Sequence, residues 1–562
     1  MKLIIIQLKM KMKMKMKTNN INKPKDGFEG MKENFKSDSL SGFLVFLLAL
    51  PLSLGIAKAS EFPAIYGLVT AMIGGIVVSF IAGSKLTIKG PAAGLIVIVA
   101  GSVTELGGGD QILGWHLALG AIVVAGVFQV LFGIFKFGKL NDFFPLSAVH
   151  GMLAAIGIII ISKQIHILAG INPTTPEGKS MVEPLELLAL LPSTFANFFK
   201  NRDVAIVGIV SLLIVFGWPM IKGGFLKKIP SPLIVLAVSI PLAILLGIHN
   251  IPDVKNAAGE VVKKGFSPLV NFKEGLFDII GINVDFSGYS QTATFIKYVA
   301  MFGLVGSLEA LLTVKAIDAM DPWKRKSNYN KDLIAVGIGN IIAGTLGGLP
   351  MISEVARSSA NIANGGKTRW ANFFHGIFIL LFLIFAVIFS DLIPMSALAA
   401  MLIGVGVKLA HPREFKHMAK IGWDQVVVFI ITIFFTLSTD LLVGIGAGIL
   451  AKIILHLING APLKNMFRAK TMIDGNTITI QGAAVFSNLI GIKKQIRKFK
   501  LNENVVFDVT ICKMIDHTVI ENLHHIKQDF ENAGGTFEIL GIDEFKSVSK
   551  SKHEFSAVKR IK

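Results

Sequence analysis

The sequence predicts a polytopic α-helical membrane protein with fourteen transmembrane segments in a 7+7 inverted repeat, followed by a small cytosolic α/β domain. Three observations carry this. Of 562 residues 52% are hydrophobic and only 17% charged, against about a quarter charged in soluble chains. Apolar runs, many near the ~20 residues of a membrane span, recur from Ser39 to Ile458. Beyond Ile458 the chain turns polar for a stretch long enough to form a small domain.

Residues 1–38 open with a Lys-Met tract, Lys9 to Lys17. The apolar Leu3 to Ile6 is too short for a signal peptide core, so a basic, disordered cytoplasmic tail is expected. The formal net charge of +19 would suit nucleic acid, but it is spread as +6 over residues 1–38, +5 over 461–562 and +8 over the apolar middle. Short basic loops explain it better, and no nucleic-acid partner is expected. Cys512 is the single cysteine, so no internal disulfide forms.

Residues 39–460 are expected to form the membrane domain. The apolar segments lie near 40–57, 63–82, 91–105, 113–136, 146–169, 203–221, 231–248, 294–315, 332–347, 353–364, 370–390, 394–410, 424–438 and 440–458. Lys85 and Lys89, Lys136 and Lys139, Lys222, Lys227 and Lys228, Lys324 to Lys326, Lys367 and Arg369, and Arg413, Lys416 and Lys420 follow the even-numbered segments. Positive loops face the cytoplasm, which puts both termini there. The two long loops, about 170–202 and 249–293, fall outside and read as solvated loops.

In residues 461–562, Ile478 to Ile480, Val505 to Val509 and Thr536 to Leu540 read as strands. Asn488 to Phe499 and His517 to Glu531 read as amphipathic helices. This βαβαβ rhythm predicts an α/β domain.

The chemistry is expected where segments 3 and 10 are broken by Gly and Pro: Lys89-Gly90-Pro91-Ala92-Ala93-Gly94 and Gly347-Gly348-Leu349-Pro350-Met351-Ile352-Ser353-Glu354. Proline is tolerated in a first helical turn, where its missing N–H leaves nothing unpaired. Each segment therefore reads as a half-helix starting inside the membrane, third in its half of seven. Paired broken segments point to a transporter with its site at the midplane, and two helix N-termini aimed at one point suit an anion. The plainer alternative is that these residues only permit close helix packing.

Ionisable residues within apolar segments are rare and informative. Glu309 lies four residues before Thr313, on the same helical face. The pair could hold Na⁺ through oxygen ligands, the carboxyl could carry a proton, or an Arg or Lys could simply satisfy it. Arg357, with Ser353 on its face, either adds positive charge behind the anion site or pairs with Glu309 or Glu354. Glu354 is the odd residue, because a second carboxylate near an anion pocket repels the substrate unless protonated, paired or turned away. His150 and His166 read as segment-end polar residues. No His/Cys spacing suggests a metal site, and no Walker-type loop implies nucleotide hydrolysis. A transporter is expected, not an enzyme.

These residues resemble the SulP (sulfate permease) family of anion transporters over about 36–562. The resemblance rests on Ala49-Leu50-Pro51-Leu52-Ser53-Leu54-Gly55, Ile65-Tyr66-Gly67-Leu68, Lys89-Gly90-Pro91, Ser307 to Thr313, Gly337 to Ala343 and Gly347 to Pro350. Residues 461–562 resemble a STAS domain at Val506 to Val509 and Ile515-Asp516-His517-Thr518. The resemblance implies core and gate domains, an elevator-like motion, a homodimer and an open question of which partner the STAS domain binds. It also implies an anion site at Ser53, Ala92, Ala93, Gly94, Ile352, Ser353 and Glu354, beside Arg357. Cation coupling would fall to Glu309, Thr313, Gly348 and Pro350, with any Na⁺ at Glu309 and Thr313.

Leu52 and Ile56 stand where many sulfate-type members carry a Gln and an aromatic residue. The Leu-Pro-Leu-Ser-Leu-Gly run and Gly348-Leu349-Pro350 look more like bicarbonate-transporting members, although Glu354 replaces a small residue there. His517 stands where regulatory STAS proteins place a phosphorylated Ser, leaving Thr518 as a weak substitute. The expectation is secondary active uptake of bicarbonate or sulfate, coupled to Na⁺ or H⁺, in a bacterial inner (plasma) membrane. A dicarboxylate transporter, an anion exchanger, an uncoupled anion channel and a membrane-anchored STAS regulator are the rivals.

Overall fold

The computed structural model describes residues 23–142, 144–173, 181, 183–221, 229–250, 254–255, 261–263, 267–271, 276–389 and 391–561. The Lys-Met tract and Lys222, Lys227 and Lys228 lie outside them. Each expected apolar segment coincides with a helix: α1 (Gly27–Ala59), α2 (Ile65–Ile76), α3 (Ile96–Leu106), α4 (Gln111–Ile134), α5 (Leu146–Leu168), α6 (Arg202–Gly217), α7 (Ser231–Leu245), α8 (Thr292–Met320), α9 (Tyr329–Thr345), α10 (Val355–Ala363), α11 (Trp370–Ile384), α12 (Met395–Leu409), α13 (Trp423–Ser438) and α14 (Leu441–Ile458). Strands β1 (Ile88–Pro91) and β2 (Met351–Glu354) precede α3 and α10.

Among the described residues seven helical stretches, those built on α1, α4, α5, α6, α8, α12 and α14, are long and apolar enough to cross a membrane. Start signals are local. Asp110 accepts from the Ile112 and Leu113 amides, Asn328 from Lys331 and Asp440 from Val443, which satisfies donors that a helix start leaves unpaired.

Packing joins α4 to α8 and α9, α11 to α1 and α2, α5 to α12 and α13, α6 to α7 and α12, and α13 to α14. Three of these contacts bring glycine against glycine: Gly75 with Gly376, Gly126 with Gly337, and Gly157 with Gly406. In each case a methyl would meet the facing backbone, so the close approach of apolar helices requires the missing side chain.

Two expectations are corrected. The tail is not disordered as far as residue 38, because α1 begins at Gly27. Asp26 is ion-paired to Lys85 and to Arg369 (2.9 Å), while Asp38 accepts from the Lys367 and Thr368 amides and the Thr368 hydroxyl at 2.7, 3.2 and 2.5 Å. The long loops are not wholly irregular either. Short helices Pro184–Ala189, Leu191–Ala196 and Leu276–Ile279 and a small hairpin lie in them, and buried Leu187 and Thr194 dock the first loop on His166.

The C-terminal region holds β3 (Lys470–Asp474), β4 (Thr477–Ala484), α15 (Leu489–Ile496), β5 (Asn504–Asp508), β6 (Cys512–Ile515), α16 (His517–Asn532), β7 (Thr536–Leu540), β8 (Phe545–Ser547) and β9 (Val558–Arg560). The sheet order is β8-β9-β6-β4-β5-β7 with β3 beside β4, and β4 pairs in parallel with both β5 and β6. Its core of Ile478, Phe507, Leu523, Phe530 and Phe537 is separate from that of the helical part. The expected three strands and two helices are present, and four further strands, too short or too polar to stand out, complete the sheet.

Candidate functional site

The site grows from one short antiparallel pairing. β1 and β2 place Ile88 opposite Glu354, Lys89 opposite Ser353, Gly90 opposite Ile352 and Pro91 opposite Met351. Strand edges inside an apolar fold must be satisfied, and side chains from three helices, α9, α10 and α11, do this. Ser358 accepts from the Ile88 amide (2.8 Å), Asn372 from the Lys89 amide (3.2 Å), and Asn361 donates to the Leu86 carbonyl (2.8 Å). Asn340 accepts from the Met351 amide at 2.6 Å and donates to the Met351 carbonyl at 3.2 Å and to Gln129 at 2.7 Å.

Alternation of side chains along the strands separates two chemistries. On one face Lys89, wholly buried, meets Asp332 at 2.8 and 2.9 Å, Ser353 at 2.6 Å, Thr87 at 2.9 Å and Ser84 at 3.2 Å. Lys89 is therefore not the loop cation that its position after segment 2 suggested. The Ser353 hydroxyl, expected in the anion site, is engaged by this cluster and also meets Asp332 at 3.2 Å.

The other face carries Gly90, Ile352 and Glu354. Arg357 lies against Gly90, where any side chain would overlap its guanidinium. It is fully buried, and its Nε, Nη1 and Nη2 have no hydrogen-bond partner among the described residues. The Ala92 amide donates to the Pro350 carbonyl (3.3 Å), after which Ala93, Gly94 and Leu95 form a tight turn leading into α3. The Ala93 amide donates to Glu354 Oε1 at 3.3 Å. Glu354 is also the extended residue from which α10 starts, so both half-helices begin within one side chain's reach.

Glu309, on α8, presses its carboxylate against Gly94, where a methyl would overlap it, and its Oε2 is buried without a hydrogen-bond partner among the described residues. Thr313 is buried one turn on. Ile352 is buried, and Ser53 of α1 is buried with its hydroxyl unpartnered among the described residues. Gly348 sits against Thr70 and Ala343, while the Thr70 hydroxyl donates to the Leu349 carbonyl at 3.2 Å. Gly348 and Pro350 thus shape the turn that delivers β2.

The structure brings together Ala92, Ala93, Gly94, Glu309, Glu354 and Arg357 and turns Ser353 away. Asp332, Asn340, Gln129, Asn361 and Asn372 were missed by sequence reasoning. Their signal was present, since a polar residue inside an apolar segment is informative by itself.

The fold and this site define an integral membrane protein built to move an anion. A model of the sulfate permease family matches residues 35–472, and the chain belongs to that family. Among its relatives is the putative sulfate transporter YvdB of Bacillus subtilis, 27% identical over 418 residues, covering 74% of this chain and 73% of that one. The bicarbonate transporter BicA of Picosynechococcus is 25% identical over 424 residues, covering 74% and 69%. The solved transmembrane domain of a cyanobacterial BicA superposes with a TM-score of 0.61 at 23% identity, over 74% of this chain and 97% of that one. Murine Slc26a9 in its inward-facing state gives 0.62 at 15% identity, over 90% and 85%.

Proposed function

We propose that this protein takes up a small inorganic anion, bicarbonate or sulfate, by secondary active transport coupled to Na⁺ or H⁺ through Glu309. The observation that carries the reading is the pairing of β1 with β2, which starts two half-helices beside a buried Glu309 and a buried Arg357 that has no hydrogen-bond partner among the described residues. Helix N-termini and a desolvated guanidinium favour an anion. The partnerless Glu309 Oε2 suits a proton or, with Thr313, an oxygen-coordinated Na⁺. Relatives named for sulfate and for bicarbonate support the substrate class.

Fourteen spans in a 7+7 inverted repeat fit the packing. Exchanging each helix with the one seven places on turns α1 on α11 into α8 on α4, α2 on α11 into α9 on α4, and α6 on α12 into α13 on α5. The glycine pair Gly75 and Gly376 maps onto Gly337 and Gly126, while β1–β2 and α5–α12 map onto themselves. The reading continues with an elevator-type movement of a core (residues near the site) past a gate, a homodimer, and cytoplasmic termini in a bacterial inner membrane. Residues 39–460 form the transport domain and 461–562 a STAS domain with a regulatory partner. The buried Thr518 hydroxyl accepts from the Leu146 amide at 3.3 Å, which argues for a docking rather than a phosphorylated role there.

The test is uptake of labelled bicarbonate and of labelled sulfate into proteoliposomes under an imposed Na⁺ or H⁺ gradient, with Glu309→Gln alongside. Uptake of one anion that follows one gradient and fails in the variant is expected. Cation-dependent uptake unchanged in Glu309→Gln would overturn the coupling role.

A further inference from the structure

A cavity of about 370 Å³ lies where the C-terminal domain meets the helical part, within the size range of small-ligand pockets. Three segments far apart in the chain wall it: Gly138 and Lys139 after α4, Lys326 to Asn330 between α8 and α9, and Arg497 at the end of α15. Lys139, Lys326 and Arg497 give it three cations, and no carboxylate is among its described lining residues. Lys326 is paired with Asp529 of α16 at 3.0 and 3.2 Å, while Lys139 and Arg497 have no ion-pair partner among the described residues. Like charges around one concavity repel each other and draw anions in.

The walls are set in place without a ligand. The Ser327 amide and hydroxyl donate to Asp318 at 2.9 and 2.6 Å, the Asn328 amide donates to the Gly83 carbonyl at 3.1 Å, and the Asn330 side chain accepts from the Gly138 amide at 2.9 Å. Asn328 also caps α9, so that helix adds its partial positive charge to the same wall.

We propose that this cavity is a regulatory site for a phosphate-bearing anion, from a soluble phosphate or from a lipid headgroup, held between Arg497 of the C-terminal domain and Lys139 and Lys326 of the helical part. A phosphomonoester carries about two negative charges near pH 7, which matches the two cations that lack a carboxylate. Its oxygens accept from several donors at once, from Arg as a fork and from Lys as a point charge. Phe135 and Phe137, both exposed, stand just before Gly138 in the chain, so apolar surface adjoins the cations, as it does where a lipid headgroup is held at a bilayer surface.

The position gives the ligand a mechanical consequence. The C-terminal domain is fastened to the α5–α12–α13–α14 group: the Ser551 and Ser556 hydroxyls donate to the Lys420 and Ile421 carbonyls just before α13, both at 2.5 Å, and Thr518 accepts from the Leu146 amide at 3.3 Å. Across the cavity the same domain meets the α4–α8–α9 group, which carries Glu309. A bound phosphate therefore ties the two helical groups together through the C-terminal domain. This braking effect rests on the transport reading, in which one group moves past the other; the binding site does not.

The experiment places the full-length protein in phosphatidylcholine nanodiscs, titrates it with pyrophosphate, and compares nanodiscs that also contain phosphatidic acid. Lys139→Gln with Arg497→Gln is the test variant, and Asp529→Asn, which breaks the Lys326 pair but keeps all three cations, is the control. Pyrophosphate binding is read by calorimetry, and retention of phosphatidic acid by native mass spectrometry. At least one of the two is expected to bind, and which one does identifies the source. Affinity should fall about tenfold or more in the double variant and hold or rise in Asp529→Asn. Binding of neither, or equal binding in the double variant, overturns the site. In proteoliposomes the bound phosphate should slow uptake of labelled bicarbonate or sulfate by the unsubstituted protein and not by the double variant; binding that leaves uptake unchanged overturns the brake. Uptake of neither anion, with or without phosphate, overturns the transport reading and the brake with it, while the binding comparison still decides the site.

Discussion

Lys89 and Asp332 form an ion pair of 2.8 Å with side chains 0% and 1% exposed, 243 residues apart in the chain. The pair fastens β1 to α9 and holds Ser353 of β2 in the same cluster. Removing one partner of a buried pair strands the other charge. Lys89→Met is therefore expected to destabilise the protein by about 3–5 kcal/mol, and Lys89→Met with Asp332→Leu should recover most of it. Thermal unfolding in detergent checks this; a double variant no more stable than the single one would contradict it.

Arg357 gives the opposite expectation. With no hydrogen bond to lose among the described residues, Arg357→Ala should leave the melting temperature unchanged or raised, because an unpaired buried charge is costly. Anion affinity should fall by about 1.5–3 kcal/mol, the range for hydrogen bonds to charged groups. A variant that loses stability but keeps its affinity would show that Arg357 serves an ion pair instead.

At Gly94, an added methyl overlaps the Glu309 carboxylate. Gly94→Ala is expected to fold, since Glu309 can swing aside, yet to lose cation-driven uptake to the extent that Glu309→Gln does. Uptake in proteoliposomes, read with a melting curve for each variant, tests the pair.

The C-terminal region carries a pH dependence of its own. His517 accommodates its ring between the Phe555 carbonyl (2.7 Å) and buried surroundings, and burial, helped by Lys452, pushes its pKa from 6.5 down to about 3. The folded state thus keeps the ring neutral. Near pH 7.5 folded and unfolded chains are alike. Below about 6.5 the unfolded chain takes up a proton that the folded one refuses. Stability should drop by up to about 1.4 kcal/mol per pH unit. His517→Asn should flatten that loss between pH 6.5 and 4.5 in thermal melts; parallel curves would remove His517 as the cause.

Much of the helical layout was readable because its signals are local. Pro91 and Pro350 mark both broken segments, and the apolar periodicity of α1 to α14 follows each segment's own composition. Lys89 was misread for the same reason. A lysine at the edge of an apolar run carries the signature of a cytoplasmic loop, and only Asp332, far along the chain, makes it an interior residue. Asp26 and Asp38 likewise gain order from Arg369 and Thr368, which no window around residue 30 contains. The β8–β9 hairpin is only three residues per strand and gains its place from pairing with β6.

The sequence by itself determined that this is a membrane protein, roughly where its apolar helices fall, which two segments are broken, and the sign of the substrate that broken helices favour. These depend on residues within a turn or two of one another. Only the tertiary structure decided that β1 pairs with β2, that Ser353 faces Lys89, that Arg357 lies against Gly90 and that Glu354 sits on the Ala93 amide. Each of these is a contact across more than two hundred residues, fixed by the need to satisfy every buried polar group at once, which no local stretch of sequence records.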